Sequence, residues 1–351
     1  MRTIKIGKRL VGPGQPAYII AEAGANHDRD LTIAHRLIDV AADSEADAVK
    51  FQTYSSETLY SRFTPRISEM DDFGRSPPGE TPFELIKRIE LPREWQKELR
   101  DHAIERRIHF LSTPFDLAAV DELAGLGVKA FKIASYEIVD YSLLKSAARR
   151  QRPMIISTGN STLSDVEMAV MAIQEEGNDQ IVLLHCVSQY PAQFEDLNLR
   201  AMQTLALAFE VPVGFSDHTM GNTASVLAVG LGARCFEKHF TLDRKRKGPD
   251  HPSALEPDEL ADYVQAVRNA EKALGSPVKR VQQSEKENHL LARRSIHASV
   301  EIPRGTVITK DMLIVKRPAL GIHPMHLDIV IGRVARRDIH ADEWITWEMV
   351  S

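Results

Sequence analysis

Eight short apolar segments recur along the first 240 residues, and stretches with helical periodicity separate most of them. The segments span residues 17–24, 48–54, 108–115, 128–135, 153–159, 181–188, 212–218 and 234–240. Amphipathic stretches such as 31–42 and 164–176 lie between them. Asp30 is a candidate N-cap for the first, and Thr162 or Ser164 for the second. Strands that alternate with helices indicate repeated βα units in a parallel sheet. Eight such units predict an α/β fold, a (β/α)8 TIM barrel of the usual size.

A doubly wound open sheet is the alternative architecture. Such a sheet would carry a glycine-rich nucleotide loop after its first strand. The segment at that position, residues 21–30, reads AEAGANHDRD and is not such a loop. The sequence therefore favours the barrel.

The βα pattern breaks at two places. Residues 55–92 form a long insertion between the second and third strands, and a loop of that length in a compact domain is usually functional. After residue 275 the sequence becomes polar and then alternates between short runs typical of strands. We therefore predict a barrel domain over residues 1–275, a linker over 276–294 and a small β-rich domain over 295–351. A module this small has a marginal core, so we expect it to dock on another surface.

The composition excludes several classes of protein. In 351 residues, 43% are hydrophobic and 26% are charged, which indicates a globular chain. A formal charge of -5 argues against a nucleic-acid partner. Cys186 and Cys235 are too few for a disulfide framework, and both lie in apolar runs as small core residues would. No segment predicts a membrane span or a signal peptide, so we expect a soluble cytoplasmic protein with no membrane partner.

Polar residues stand repeatedly at the predicted strand ends. Active sites of barrels form at the C-terminal ends of the strands, so these residues are the site candidates. From the first strand to the eighth they include Glu22, Lys50, Gln52, Thr113, Lys132, Ser135, Glu137, Ser157, Ser188, Tyr190, Ser216, His218 and His239. Lys50 and Lys132 lie inside apolar runs, where a lysine is seldom buried unless it is paired. Ammonium groups beside hydroxyls predict a strong anion site and hence a phosphorylated substrate.

His218 and His239 end consecutive strands and are candidate ligands of one divalent ion. Two imidazoles would leave coordination positions open for water and substrate oxygens. Ordinary hydrogen-bonded histidines are the alternative. Glu22 and Glu137 are candidates for proton transfer or for orienting a water molecule. For them the alternative is a structural ion pair with Lys50 or with Lys132.

Several motifs carry a family resemblance. The segments are IAEAGANH, VKFQT, FLSTPFD, FKIASYE, IISTG, LLHCVSQYPAQFEDLNL, GFSDHT, FEKHFTLD and GPDHPSALEPDEL. In this order they resemble the sialic acid (N-acetylneuraminate) synthase family, which includes legionaminate and pseudaminate synthases. The C-terminal segments ARRSIHAS, VKRPALGI and GRVARRDI resemble the antifreeze-like SAF domain of that family. The resemblance covers nearly the whole chain.

The resemblance implies a phosphoenolpyruvate-dependent transferase that forms a C–C bond, a nonulosonic acid synthase. It would condense phosphoenolpyruvate with N-acetylmannosamine and water and release phosphate. A legionaminate or pseudaminate synthase that uses a diacetamido-trideoxy hexose is the alternative within the family. The resemblance also implies a divalent metal, usually Mn²⁺, with Mg²⁺ or Co²⁺ as alternatives. It further implies a head-to-tail homodimer in which the SAF domain of one copy caps the active site of the other.

Roles for individual residues follow from the matching motifs. His218 and His239 resemble the metal ligands of the family. The residues that resemble phosphoenolpyruvate contacts are Lys50, Thr113, Lys132, Ser135, Ser157 and Ser216. Those that resemble sugar contacts are Gln52, Tyr190 and Asp250, and Ser188 is a further substrate-binding candidate. Glu22 and Glu137 resemble the acidic pair near the reacting carbons. Arg317 resembles the SAF arginine that reaches the N-acetyl end of the sugar across the dimer.

The sequence departs from the family pattern at three places. The common Asn-His-Asn-Gly after the first strand is Asn26-His27-Asp28-Arg29 here. Several members have an asparagine before the tyrosine at 190, where this chain has residues 187–189 as Val-Ser-Gln. The common Arg-Pro-Gly is Arg-Pro-Ala at 317–319.

Two hypotheses outside the family remain. One is a metal-dependent barrel aldolase that cleaves a sugar acid to pyruvate and needs no phosphate site. The other is a non-catalytic carbohydrate-binding protein built on a degenerate barrel.

Overall fold

The computed structural model describes residues 2–66 and 76–351. The remainder of the predicted insertion, residues 67–75, lies outside the described residues. The chain is divided into two compact units, Met1–Gly275 and Ser276–Ser351.

A parallel sheet of eight strands forms the first unit within the described residues. A short antiparallel hairpin, β1 (Ile4–Ile6) and β2 (Arg9–Val11), precedes it. The sheet strands are β3 (Tyr18–Glu22), β4 (Ala48–Thr53), β5 (His109–Pro114), β6 (Phe131–Ile133), β7 (Met154–Ser157), β8 (Ile181–Cys186), β9 (Val213–Asp217) and β10 (Cys235–His239).

The strand order is β5-β4-β3-β10-β9-β8-β7-β6, and β5 packs beside β6. The last strand, β10, lies beside the first, β3, with Glu237 level with Ile20. This closure confirms the predicted (β/α)8 barrel and excludes the doubly wound open sheet.

Helices surround the sheet. They are α1 (Leu31–Asp43), α2 (Ser56–Leu59), α3 (Pro82–Ile89), α4 (Gln96–Glu105), α5 (Leu117–Leu126), α6 (Tyr141–Ala148), α7 (Leu163–Gln174), α8 (Ala201–Phe209), α9 (Thr223–Gly230) and α10 (Pro257–Leu274). Both predicted N-caps form: Asp30 accepts hydrogen bonds from the first turn of α1, and Thr162 makes a capping box with Asp165 at α7. Helix α1 buries Ala34, Leu37, Ile38 and Ala41, the spacing of one helical face.

The strand period of two divides the barrel into an outer and an inner core. Residues such as Ile19, Val49 and Phe110 face the helices. The alternate positions face the interior, where Tyr18, Ile20, Ala48, Leu111, Ile155 and Val182 pack with the hairpin residues Ile4, Ile6 and Val11. The lower interior is therefore filled and apolar. The next inward positions, toward the C-terminal strand ends, are polar.

The second unit is small and β-rich, as predicted. It contains an antiparallel pair, β11 (Ser295–Ala298) and β12 (Leu313–Lys316), and the helices α11 (Lys286–Leu291) and α12 (Leu327–Val330). Its core includes Ile296, Ile302, Ile308, Ile322, Ile339 and Ile345. Residues 276–294, for which the sequence predicts a linker, belong to this unit and include α11. The amide of Ala319 donates to the carbonyl of Leu290, which ties this segment to the unit.

No helix in the described part of the chain is both long enough and apolar enough to cross a membrane.

Candidate active site

A cavity opens at the C-terminal ends of the barrel strands. Eleven of the predicted residues line it: Glu22, Lys50, Gln52, Thr113, Lys132, Ser135, Ser157, Tyr190, Ser216, His218 and His239. Their convergence has a simple geometric cause, since the inward-facing positions recur every second residue on each strand and all eight strands end at the same rim.

Lys50, on β4, is the centre of a buried polar cluster. Its Nζ lies 2.7 Å from Oε2 of Glu22, on β3, and donates a 2.9 Å hydrogen bond to Oγ1 of Thr113, on β5. The amide of Gln52 donates to the other oxygen of Glu22 at 2.7 Å. Burial raises the pKa of Glu22 to about 7, although Lys50 acts in the opposite direction. Glu22 is thus a carboxyl group that titrates near neutrality beside a fixed cation.

Lys132, on β6, is the second buried cation of the cavity. Its Nζ donates 2.7 Å and 2.8 Å hydrogen bonds to Oγ of Ser157 and to the carbonyl of Ile133. Burial lowers the pKa of Lys132, and Glu237 opposes that shift. Oε1 of Glu237, on β10, lies 3.8 Å from this ammonium.

Glu237 connects the two lysines. Its second carboxylate oxygen lies 3.8 Å from Nζ of Lys50. Burial alone would raise the pKa of this carboxyl, but Lys132 and Lys50 together hold it below the usual value. The cavity therefore contains two cations that share an ionised carboxylate. The strand period places Glu237 on the same face as His239, but the sequence assigns it no role in the site.

Hydroxyl groups cover one side of the cavity. Oγ of Ser135 accepts a 3.0 Å hydrogen bond from the amide of Gly159. Oγ of Ser216 donates to Glu237 at 3.3 Å. A Cβ at residue 159 would overlap the hydroxyl of Ser188 and lie 2.9 Å from that of Ser135, so only glycine fits there. Ser188 thus lies next to Ser135, although it does not line the cavity itself.

His218 and His239 lie at the rim with their ring centroids 5.5 Å apart. Nδ1 of His218 is 2.8 Å from the carbonyl of Val187; a carbonyl only accepts, so Nδ1 carries a proton. Burial acts to lower the pKa of His218, but Cys186 and the Val187 carbonyl together raise it above the usual value. Nδ1 of His239 is buried without a hydrogen-bond partner. Burial lowers the pKa of His239 to about 4, so its ring is neutral at pH 7.

These features fit a metal site with two protein ligands. His239 is neutral and its Nδ1 has no hydrogen-bond partner, and the hydrogen bond at Nδ1 of His218 leaves Nε2 as the ligating nitrogen once that ring is deprotonated. In residues 2–66 and 76–351 no group of three or more His, Cys, Asp or Glu side chains is arranged to hold a metal ion. A bound ion would take its remaining ligands from water or substrate.

Three predicted residues of the barrel lie beside the cavity lining. Ser188 is one of them, and Asp250 is the second: its Oδ2 accepts a 3.2 Å hydrogen bond from the amide of Ala25 and lies 3.9 Å from Nδ1 of His239. Glu137 lies in the 3₁₀ helix Ser135–Val139. Burial raises the pKa of Glu137 to about 7, and its Oε2 is buried without a hydrogen bond. Arg317 follows β12 in the second unit.

Cys186 corrects one sequence-based expectation. The apolar run around it predicts a small core residue, but the side chain lines the cavity, with Sγ 3.7 Å from Nδ1 of His218. Its inward position follows from the alternation along β8, where Val182 and Leu184 also face the interior. Phe115 and Ala134 line the cavity as well.

Fold and site together define a TIM-barrel protein in which two buried lysines and a pair of histidines line one cavity at the C-terminal strand ends. The chain belongs to the NeuB family: the family model matches residues 37–279, and a SAF domain matches residues 293–351. It is 42% identical to the N,N'-diacetyllegionaminic acid synthase of Campylobacter jejuni, over 93% of this chain and 98% of that protein. It is 37% identical to the human N-acetylneuraminate-9-phosphate synthase, over 97% of this chain and 95% of that protein.

A solved structure has the same fold. The N-acetylneuraminic acid synthetase of Leptospira borgpetersenii, in complex with citrate, superimposes with a TM-score of 0.71 at 37% identity. The match covers 82% of this chain and 95% of the solved one.

Proposed function

We propose that the chain condenses phosphoenolpyruvate with N-acetylmannosamine and water to give N-acetylneuraminate and phosphate. One observation carries this proposal: two buried lysines and several hydroxyls line a cavity that also contains two histidines with ring centroids 5.5 Å apart. The cations suit a small trianion, and the family membership indicates that the trianion is phosphoenolpyruvate.

Phosphoenolpyruvate would lie between Lys50 and Lys132. Both ammonium groups are already held by hydrogen bonds, so little reorganisation is needed when the charge arrives. The hydroxyls of Thr113, Ser135, Ser157 and Ser216 are the donors for its oxygens. Without the substrate, Glu237 balances the two cations.

A divalent ion, which we propose to be Mn²⁺, would be held by His218 and His239, and when bound it would supply Lewis-acid polarisation of the sugar aldehyde. Gln52, Tyr190 and Asp250 border the same region and would orient the sugar. The packing of the Tyr190 ring against both histidines, with centroids 4.1 Å and 5.6 Å away, supports its place beside the reacting end.

The proposed reaction begins with a bond between C3 of phosphoenolpyruvate and the aldehyde carbon of the open-chain sugar, whose oxygen becomes a hydroxyl. Water then adds to the cationic C2. Glu22, which lies within the cavity and is held by Lys50 and Gln52, is placed to accept the proton of that water. The tetrahedral intermediate expels phosphate by cleavage of its C–O bond, and its C2 hydroxyl becomes the ketone of the product. The two protons of the water thus balance the proton taken up by the new sugar hydroxyl and the one that leaves with the phosphate. Glu137 lies at the edge of this region and would act on the water only from there.

A diacetamido-trideoxy hexose is the second candidate for the acceptor. The observation that favours it is the higher identity to the diacetyllegionaminic acid synthase, 42%, than to the human N-acetylneuraminate-9-phosphate synthase, 37%. The precursor of pseudaminate is the third candidate for the acceptor sugar. The three acceptors differ at carbons 4 to 6, away from the reacting aldehyde, so the chemistry above applies to each.

We also propose a homodimer in which the SAF domain of one copy caps the barrel of the other. Large apolar side chains in loops that follow the barrel strands support it: Phe63 is 95% exposed, Tyr136 58% and Phe194 51%. Such side chains at a site mouth suit a covering surface. In this arrangement Arg317 would reach the N-acetyl end of the sugar. Because phosphoenolpyruvate is a cytoplasmic metabolite, we place the enzyme in the cytoplasm.

Phosphate release tests the proposal. The purified protein is treated with EDTA and assayed with phosphoenolpyruvate and each of the three sugars, with and without Mn²⁺. We expect metal-dependent phosphate release with one sugar. Formation of pyruvate from the sugar acid, with no release of phosphate, would indicate the aldolase instead. Failure to consume phosphoenolpyruvate with every sugar and metal would leave the carbohydrate-binding hypothesis. Light scattering of the same preparation measures the oligomeric state.

A further inference from the structure

We infer that Asp28 is a positioning residue: through Arg246 and His251 it ties the loop after β10 to the loop after β3 and so holds Asp250 at the site. The inference rests on the proposed function for the role of Asp250, but the tie itself is a structural claim.

Asp28 makes two side-chain contacts with the later loop. Its Oδ2 accepts a 2.7 Å hydrogen bond from Nε of Arg246, and its Oδ1 lies 2.9 Å from Nε2 of His251. These hydrogen bonds hold the pKa of Asp28 below its usual value, although burial acts in the opposite direction. The carboxylate is therefore ionised at neutral pH and pairs with Arg246. Charge-assisted bonds of this kind are stronger than neutral ones.

His251 connects Asp28 to the rest of the loop after β10. Its ring is fully buried, and its Nδ1 makes a 2.7 Å hydrogen bond with Oγ1 of Thr241, just after β10. A Cβ at Gly248 would lie 2.8 Å from the same ring, so the chain packs closely on it. With both ring nitrogens engaged and one face covered, His251 has a single orientation.

Asp250 is the residue that this arrangement places. It directly precedes His251, and its Oδ2 accepts a 3.2 Å hydrogen bond from the amide of Ala25. A Cβ at Gly24 would lie 2.5 Å from that oxygen, so a bulkier residue there would displace it. The two loops therefore meet at two points, Ala25 with Asp250 and Asp28 with His251. At the second point Asp28 also forms an ion pair with Arg246.

The backbone of Asp28 gives independent support. Asp28 and Arg29 both have positive φ, 50° and 52°. Residues other than glycine in this left-handed region cost about 1 kcal/mol or more each, and they persist where the surroundings over-determine them. Aspartate tolerates the conformation better than most residues. The contacts of Asp28 with the later loop offset this cost.

Loss of the Asp28 contacts should affect the use of the sugar rather than that of phosphoenolpyruvate. Asp250 lies at the rim beside His239, whereas Lys50 and Lys132 are held by their own hydrogen bonds deeper in the barrel. Because a shift of about 1 Å in a positioning group can cost up to about 100-fold in rate, loss of the tie should weaken use of the sugar selectively.

Steady-state kinetics of Asp28 variants test the inference. For Asp28→Ala we expect the KM for the sugar to rise at least about 10-fold, with the KM for phosphoenolpyruvate changed less than about 2-fold. Asp28→Asn keeps an acceptor for His251 but loses the ion pair with Arg246, so it should recover only part of the loss. Arg246→Gln, at a partly exposed position that is safe for folding, should give an intermediate rise. Lys245→Ala is the matched control, since it removes a charge from the same loop without contacting Asp28.

Hydrogen exchange gives a readout that does not need turnover. Amides of residues 240–256 should exchange faster in Asp28→Ala than in the wild type and in Lys245→Ala. An unchanged sugar KM in both Asp28→Ala and Arg246→Gln would overturn the positioning role, and unchanged exchange would overturn the tie. If the wild-type protein turns over no sugar, the proposed function fails, while the exchange experiment still decides the tie.

Discussion

The ammonium of Lys50 lies 2.7 Å from a carboxylate oxygen of Glu22, and the two side chains are only 3% and 1% exposed. Removing charges from water costs several kcal/mol per ion, so such a pair is kept only where the geometry or a function requires it. Here Glu237, 3.8 Å from the same ammonium, adds a second carboxylate. The cluster therefore depends more on its cation than on either acid.

The first prediction follows from this asymmetry. Lys50→Met leaves two buried carboxylates facing each other and should lower the free energy of unfolding by about 3–5 kcal/mol at pH 8. Glu22→Gln leaves Lys50 paired with Glu237 and should cost less than about 2 kcal/mol. Urea unfolding of the two variants measures both values, and Lys247→Met, at an exposed position, is the control. A larger loss for Glu22→Gln would contradict the dominance of the cation.

The second prediction concerns Lys132 and catalysis. Replacing it with alanine removes one of the two cations proposed to hold phosphoenolpyruvate. We expect kcat/KM for phosphoenolpyruvate to fall at least about 100-fold, which corresponds to about 2.7 kcal/mol of transition-state stabilisation. Lys129→Ala, three residues earlier and exposed, should stay within about 2-fold of the wild type. Phosphate release measures both, and undiminished turnover of Lys132→Ala would remove this lysine from the mechanism.

The third prediction is that His27 makes the folded state less stable as the pH falls. Burial lowers the pKa of this imidazole to about 4, against about 6.5 in the unfolded chain. Above pH 6.5 the ring is neutral in both states, so its full contribution to stability is present. As the pH falls toward 4, the unfolded state binds a proton that the folded state does not, and stability decreases by up to about 3 kcal/mol.

His27→Gln removes that titration. The unfolding free energy of the variant should therefore fall less between pH 7 and pH 4.5 than that of the wild type. Denaturant unfolding at both pH values gives the comparison. Equal losses in the two proteins would show that His27 keeps an ordinary pKa in the folded state.

The fourth prediction concerns which bond of phosphoenolpyruvate breaks. In the proposed reaction water attacks C2 and the C–O bond cleaves, so the oxygen that bridges carbon and phosphorus leaves with the phosphate. Turnover in ¹⁸O-water should give phosphate without label, as mass spectrometry would show. A phosphatase acting on phosphoenolpyruvate in the same water supplies the labelled control. Label in the phosphate released by this protein would exclude the proposed addition of water to C2.

Local patterns were enough to predict the barrel and most of its interior. The spacing of apolar segments predicts eight βα units because the alternation of strand and helix follows from hydrophobic periodicity alone. Lys50 and Lys132 could be singled out because a lysine within an apolar run needs a buried partner. The strand period of two then places their neighbours, such as Gln52 with Lys50, on one face.

For Glu237 and Glu137, local sequence patterns do not predict the position within the site. Glu237 lies on the inward face predicted for β10, but nothing in its local sequence says that two lysines 187 and 105 residues away share it. Glu137 lies four residues after the end of β6, in a 3₁₀ helix, and is not among the residues that line the cavity. Distances between strand ends depend on how the sheet closes, which no single segment encodes.

The sequence by itself thus determined which residues face inward, since that depends only on the period of each strand. Only the tertiary structure decided which of them touch. Asp28 and His251 are 223 residues apart and lie 2.9 Å from each other because β10 closes the barrel against β3. The same closure brings Lys50 and Lys132, on β4 and β6, close to Glu237 on β10. The distances between the side chains of the site therefore depend on how the barrel closes.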